Sequence, residues 1–380
     1  MNPTGNRIQS IDMMRGVAVV VMVMGHSIDS VLSLEFRSTE LFRIYDFFRG
    51  FTAPAFLFVS GLTFSVATEK RWEDYRRLSA PLAKRLMRIL LLFMIGYSLH
   101  VPFFSLDKVL NYTHPTEYAQ LFQVDVLHCV AATLVVLHVL IFFVRSPARL
   151  SSLSLGLAFG VTLMTPIIWS RDLAPILSPI LVPYFNQQQT SLFPLFPYSA
   201  FLLVGVAVGH QFLEARRASA EGVLFLNLAR LTAILAAGCV SLDLIPGSFY
   251  PAHDFWKTSP VFFVIRLAVI ILATCLCFFI RNAPHSLAEH LNTLGQASLL
   301  VYTSHIVVVY GSAANRGLAQ LIGQTLPPYQ APLIGIAVLI TMVVLVQIWN
   351  YLRSNHNIPA RLVEASLAGA LLVLFLVRPY

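Results

Sequence analysis

Hydrophobic and polar positions alternate in long blocks along the chain: runs of about twenty apolar residues are separated by short polar segments, and the first run is the most informative. From Ile11 to about Leu34 (IDMMRGVAVVVMVMGHSIDSVLSL) only Asp12, Arg15, His26 and Asp29 carry ionisable groups. A helix turns about 100° per residue, so Arg15 and His26 return to within about 20° of one another, roughly 16 Å apart along the axis. Asp12 and Asp29 fall in the same arc of about 100°, leaving the remaining surface apolar. A polar stripe through a helix of membrane length costs several kcal/mol if it faces lipid, so it is expected to face protein or a wet cavity.

The same periodicity predicts further spans at about Tyr45–Ala67, a third ending near Phe104, Leu121–Val144, Leu150–Trp169, and a sixth running to His210. Others follow at Val223–Leu242, Val261–Ile280, Leu294–Tyr310 and Ala331–Tyr351, with a last one at the carboxyl end. The expectation is an all-α, polytopic integral membrane helical bundle of about eleven (10–12) transmembrane helices, forming one domain over residues 1–380. Composition agrees: 57% of residues are hydrophobic, 12% are charged and mean hydropathy is +0.73, far from a soluble globular chain. The net charge of +8 lies between apolar runs, as in Lys70, Arg71, Arg76, Arg77, Lys84, Arg85 and Arg88, where it reads as an orientation signal rather than a nucleic-acid surface. Roughly two thirds of the 26 Lys and Arg fall on one side of the predicted topology. That places the amino terminus in the cytoplasm, the carboxyl terminus outside, and the chain in the cell (inner) membrane with lipid as its partner. Cys129, Cys239, Cys275 and Cys277 lie inside apolar runs without metal-ligand spacing, so neither disulfides nor a metal are expected.

Depth sorts the polar residues into two layers. His26 lies about 21 Å along the first helix from Asp12, in the outer third of a bilayer of about 30 Å. His305, with Ser298 and Tyr302 at helical spacing on its own span, reaches nearly the same level. Asp46, Arg49, Asp125, His128 and Arg266 fall within two turns of the outer boundary on other spans. Asp12, Arg15, Arg85, Arg88 and Arg281 form an inner, mostly cationic set suited to phosphates. Bland readings stand beside these. Asp46 and Arg49, three residues apart, suit a structural ion pair, Arg266 suits a partner for Asp29 or Asp46 as well as an anion contact, and a lone intramembrane histidine often only bridges helices. His138 is expected to pack.

The stretches SIDMMRGVAVVVMVMGHSID, FRGFTAPAFLFVSGL, QVDVLHCVAATLVVL, FPLFPYSAFLLVGVAVG and LGQASLLVYTSHIVVVYG give the chain a family likeness. The Arg-x10-His of Arg15 and His26 resembles the signature of membrane acyltransferases of family 3, and the layout resembles the bacterial relatives of the heparan-alpha-glucosaminide N-acetyltransferase family. The resemblance implies an acyl-CoA-dependent transferase that passes an acetyl group from cytosolic acetyl-CoA, or another acyl-CoA, to an extracytoplasmic sugar or glycan. On it, His26 is the catalytic histidine and Arg15 is a contact near the CoA entrance; Asp29, one turn beyond His26, is a candidate to orient the imidazole. His305 matches a Tyr-x-x-His in the late motif, and a homodimer is implied. General base and acyl-histidine roles for His26 both remain open. The competing reading is a secondary transporter of a small polar or anionic substrate, since intramembrane His, Asp and Arg also serve proton relays. A scaffold for envelope assembly would leave the stripe without a purpose.

Overall fold

The apolar runs fold as helices whose starts are written in the sequence, as a computed structural model of residues 8–101, 104–112, 114–188, 191–243, 251–281, 285–312, 315–355 and 357–379 describes. In chain order they are α1 (Gln9–Val31), α2 (Glu40–Arg49), α3 (Thr52–Glu69), α4 (Trp72–Tyr75), α5 (Ala80–Ser98), α6 (Pro115–Leu121), α7 (Val126–Phe143) and α8 (Pro147–Trp169). They continue as α9 (Leu195–Arg217), α10 (Glu221–Asp243), α11 (Pro260–Phe279), α12 (His285–Gln296), α13 (Ser298–Tyr310), α14 (Leu318–Leu321), α15 (Ala331–Asn355) and α16 (Asn357–Val377). Thr39, Asp125, Ser146 and Ser259 each accept a backbone N–H of the following turn, and Pro147 and Pro260 occupy first-turn positions where no N–H is needed. Among the described residues there is no strand, only isolated bridges such as Leu32 with Leu326.

Eight helices are long and apolar enough to cross a membrane, and a ninth span results if α12 and α13, bent by 82° at their junction, are taken together. The chain is an integral, multi-pass membrane protein. Two of the eleven expected spans fall short by this measure. The helix α5 carries Lys84, Arg85 and Arg88 within its 19 residues, and α16 contributes only the shorter apolar stretch Ser366–Val377. The expected second span lies within Glu40–Glu69, which counts as one of the eight and is interrupted only at Gly50 and Phe51 between α2 and α3. Two sequence features, an Asn-x-Thr glycosylation sequon starting at Asn111 and a run of three glutamines starting at Gln187, each have their last position, 113 and 189, outside the described residues.

The chain forms two compact units, Met1–Thr52 with Ser98–Leu121 and Asn282–Tyr380, and Ala53–Tyr97 with Phe122–Arg281. In the first, α1 is central and packs against α12, α13 and α15. A Cβ on Gly16 would collide with the Leu291 carbonyl, and one on Gly295 with the Asp12 carbonyl, so two glycines let α1 and α12 approach backbone to backbone. The far end of α1 is pinned: Leu326 N–H donates to Val31 O (2.8 Å), Ser33 N–H to Leu326 O (2.9 Å), and Val31, Leu32 and Ala331 form a small buried core. The second unit repeats the device, with Gly61 against the Leu202 carbonyl and Gly205 against that of Phe58, around the fully buried Phe58, Leu62 and Phe201.

Candidate active site

Three of the four ionisable side chains of the α1 stripe are paired by one neighbouring segment. Gln296 Nε2 donates to Asp12 Oδ2 (3.2 Å), Arg15 donates to Ser298 Oγ (2.7 Å), and His26 Nδ1 meets His305 Nε2 at 2.9 Å. Arg15 also lies 3.8 Å from Asp12, an ion pair one turn apart. Three side chains of α1 therefore meet three from the α12–α13 junction and α13, in the same order along both. A hydrogen bond contributes about 0.5–1.5 kcal/mol net, and three in the same order hold the two segments in register.

The hydrogen-bond chain through the two imidazoles defines their tautomers. His305 Nδ1 lies 2.8 Å from the Val301 carbonyl oxygen, which only accepts, so that nitrogen carries the proton. With both rings neutral, His305 Nε2 then presents a lone pair, His26 Nδ1 donates to it, and His26 Nε2 keeps its own lone pair. The rings stack at 5.1 Å and 19°. Tyr302 lies edge-on to His305 at 5.8 Å, and Tyr310 lies edge-on to His26 at 5.9 Å. The arrangement presents one basic nitrogen with its orientation fixed from behind.

One turn beyond His26, Asp29 is engaged by Arg49 rather than by an imidazole; the group that orients His26 is His305, not Asp29 as the sequence suggested. Arg49 also binds Asp46, with Nε 3.1 Å from Asp46 Oδ1, so the expected pair on α2 forms and is extended to Asp29. Tyr45 Oη donates to Gly25 O (3.1 Å), and Arg37 donates to the carbonyl oxygen of Asp29 (2.7 Å). Beside them opens a cavity of about 570 Å³ whose walls include Asp29, Ser30, Arg37, Tyr310 and Gln324. Sequence reading left Arg37 and Tyr45 as loop and helix-start residues. Only Tyr45 carries a signal, four positions before Arg49 on the same face.

The other predicted residues belong to the second unit and are each held locally. Asp125 and His128 form a capping box for α7: Asp125 Oδ1 accepts from Leu127 N–H (2.8 Å) and His128 N–H (3.1 Å), and His128 Nδ1 faces the Asp125 N–H at 3.2 Å. The Arg85 guanidinium sits between the rings of Phe64 (4.4 Å) and Tyr75 (4.5 Å), and Arg281 lies over Phe278 at 3.9 Å while donating to its carbonyl. Arg266, for which the sequence left a carboxylate partner and an anion contact both open, lies over Phe262 at 4.0 Å in a cation–π contact. Arg88 is exposed. His138 packs edge-on to Phe64 and Tyr75. Glu69, His210 and Glu214 bring three ligand-type atoms within 4.8 Å of one another, but Arg217 bridges both glutamates and His210 Nδ1 lies 3.2 Å from Glu69, which closes the cluster as an ion-pair network.

Comparison with known families returns one match. The family model described as heparan-alpha-glucosaminide N-acetyltransferase, catalytic, matches residues 7–244, which take in Asp12, Arg15, His26, Asp29, Asp46 and Arg49; His305 lies beyond the matched stretch. No curated protein matches the chain.

Proposed function

Because the chain belongs to the heparan-alpha-glucosaminide N-acetyltransferase catalytic family and is a membrane acetyltransferase, we propose that it moves an acetyl group from cytosolic acetyl-CoA to an extracytoplasmic saccharide, with His26 as general base. The observation that carries this reading is the chain Val301 carbonyl, His305, His26, which leaves a basic nitrogen at His26 Nε2. In this scheme His26 Nε2 takes the proton of the acceptor as its oxygen or nitrogen attacks the thioester carbonyl. The carbon–sulfur bond breaks, and the proton passes to the CoA sulfur. His305 holds the imidazole and shares its developing positive charge through the 2.9 Å contact.

Arg15, at the other end of the seam, is placed to meet the anionic part of the donor. Its guanidinium is held by Ser298 and balanced by Asp12, so it presents an oriented fork of donors of the kind that binds phosphates. With the Arg15 end cytoplasmic and the His26 end outward, the pantetheine arm would span the roughly 16 Å between them. The protein works in the inner membrane among its lipids, with a saccharide acceptor and a second copy as partners.

The test uses purified protein in nanodiscs. Acetyl-CoA binding by calorimetry and slow CoA release are expected for the wild type, with release lost in His26→Ala and binding weakened in Arg15→Ala. If neither acetyl-CoA nor a longer acyl-CoA binds, the donor assignment falls, and transport assays on envelope sugars replace it.

A further inference from the structure

We propose that the basic segment joining α3 to α5 holds a binding site for a phosphate group, built by Trp72, Arg76 and Arg85 around the ring of Tyr75. The site lies wholly in the second unit, so it stands independently of the acetyltransferase reading, whose seam lies in the first.

Four buried side-chain atoms that have no hydrogen-bond partner among the described residues come together here: Trp72 Nε1, Arg76 Nε, Arg85 Nη1 and His138 Nε2. Trp72, Tyr75 and Arg76 share one face of α4 and the residue after it, and Trp72 is only 8% exposed. The Arg85 guanidinium lies over the Tyr75 ring, and His138, on α7, meets that ring edge-on at 6.2 Å. Phe64 closes the other side, against Arg85 at 4.4 Å and His138 at 5.3 Å. The helix α4 itself packs on α7.

The chemistry of these atoms names the ligand. Three of them are N–H groups and only donate, and two belong to guanidiniums. His138 Nδ1 lies 2.6 Å from the Leu134 carbonyl oxygen, so it carries the proton and Nε2 accepts from a neutral ring. A water satisfies one such donor at a time, whereas three donors and two positive charges on one ring call for an acceptor-only anion. A phosphate group offers several oxygens at once and matches the guanidinium fork. Glu73 competes only at the outer edge, exposed and 3.7 Å from Arg76 Nη1. Arg76 and Arg85 are half-buried, so an anion reaches them without separating the helices. From Lys70 to Arg88 seven cations stand against two carboxylates, a field that draws anions in. Because α4 joins two apolar helices, the site lies at the level of the lipid headgroups. An anionic phospholipid and a soluble phosphate present the same group to it.

The experiment titrates delipidated protein in a neutral detergent with inorganic phosphate and, separately, with dihexanoyl phosphatidylglycerol, reading tryptophan emission and the melting temperature. The expected result is a saturable change in emission together with a rise in melting temperature. The emission change is expected to vanish in Trp72→Phe. The midpoint should rise about tenfold or more in Arg76→Gln and in Arg85→Lys, which keeps the charge between the rings but loses the fork. Size-exclusion profiles report folding, and the two arginine variants decide the matter if Trp72→Phe does not fold. Saturation by phosphatidylglycerol alone identifies a lipid headgroup as the source; saturation by phosphate, with the two probes competing, identifies a free phosphate. No saturable change with either probe, the same change from sodium chloride at equal ionic strength, or unaltered midpoints in both arginine variants overturns the inference.

Discussion

His26 and His128 look alike in sequence, each an imidazole in a membrane-length apolar run with an aspartate three residues away, and the fold makes them opposites. His128 is fully buried, and its hydrogen bonds with Asp125, three positions earlier, close the capping box of its own helix, while the ring of Tyr97 lies edge-on to it at 4.1 Å. His26 is half-buried, and its imidazole is bonded across 279 residues to His305, while its own aspartate is turned to Arg49. The Asp–His spacing therefore carries little meaning by itself. A hydrogen bond made within one turn caps a helix start; one made to a distant helix orients an imidazole from another part of the chain.

Substitutions at four positions test this contrast. His26→Ala removes the base and is expected to lower acetyl transfer by about 10²–10⁴, with the folded yield unchanged in size-exclusion profiles. An unaltered rate would place the base elsewhere. His305→Leu removes the acceptor that fixes the His26 tautomer, and the expected loss is about ten- to a hundredfold, from one hydrogen bond to a group that becomes charged. His305→Gln, whose Oε1 can accept from His26 Nδ1, should recover most of it and restore the pH profile, which a purely structural role for His305 would not produce.

Arg15→Ala should raise the KM for acetyl-CoA about tenfold while kcat changes less, because its interaction with donor phosphates is made in ground and transition states alike. A selective fall in kcat would instead place Arg15 at the reacting carbon. The smallest effect is expected in the second unit, where Asp125→Ala costs about 1 kcal/mol of stability through the lost cap. Thermal melts in detergent report that loss, and the folded enzyme should keep its kcat. A large kcat defect at unchanged stability would show that the cap residues take part in the reaction.

Much of the fold was legible because helices are local objects. Apolar runs of about twenty residues, Ser, Thr and Asp at helix starts, and proline in first turns give the elements with little ambiguity. The Asp46–Arg49 pair was also legible, since three positions along a helix bring two side chains together wherever the helix sits. Arg266 was not. On sequence alone an intramembrane guanidinium suits a carboxylate or an anion equally, and nothing in the pattern singles out Phe262, four residues before Arg266, as the ring that meets it. The 82° break between α12 and α13 was equally hidden, because the LGQASLL stretch contains no proline and reads as a continuous span. The break lies next to the backbone approach of Gly295 to Asp12, a contact between residues 283 positions apart.

By itself the sequence determined that this is a helical membrane protein and that Asp12, Arg15, His26 and Asp29 share one face, since the turn of about 100° per residue depends on nothing outside the helix. Only the tertiary structure decided what that face meets. The partners Gln296, Ser298 and His305 come from the far end of the chain, and the tautomer that leaves His26 Nε2 basic is set by the carbonyl of Val301. Periodicity can aim a side chain; a hydrogen bond needs its second atom within about 3 Å, and where that atom comes from distant sequence, folding alone brings it there.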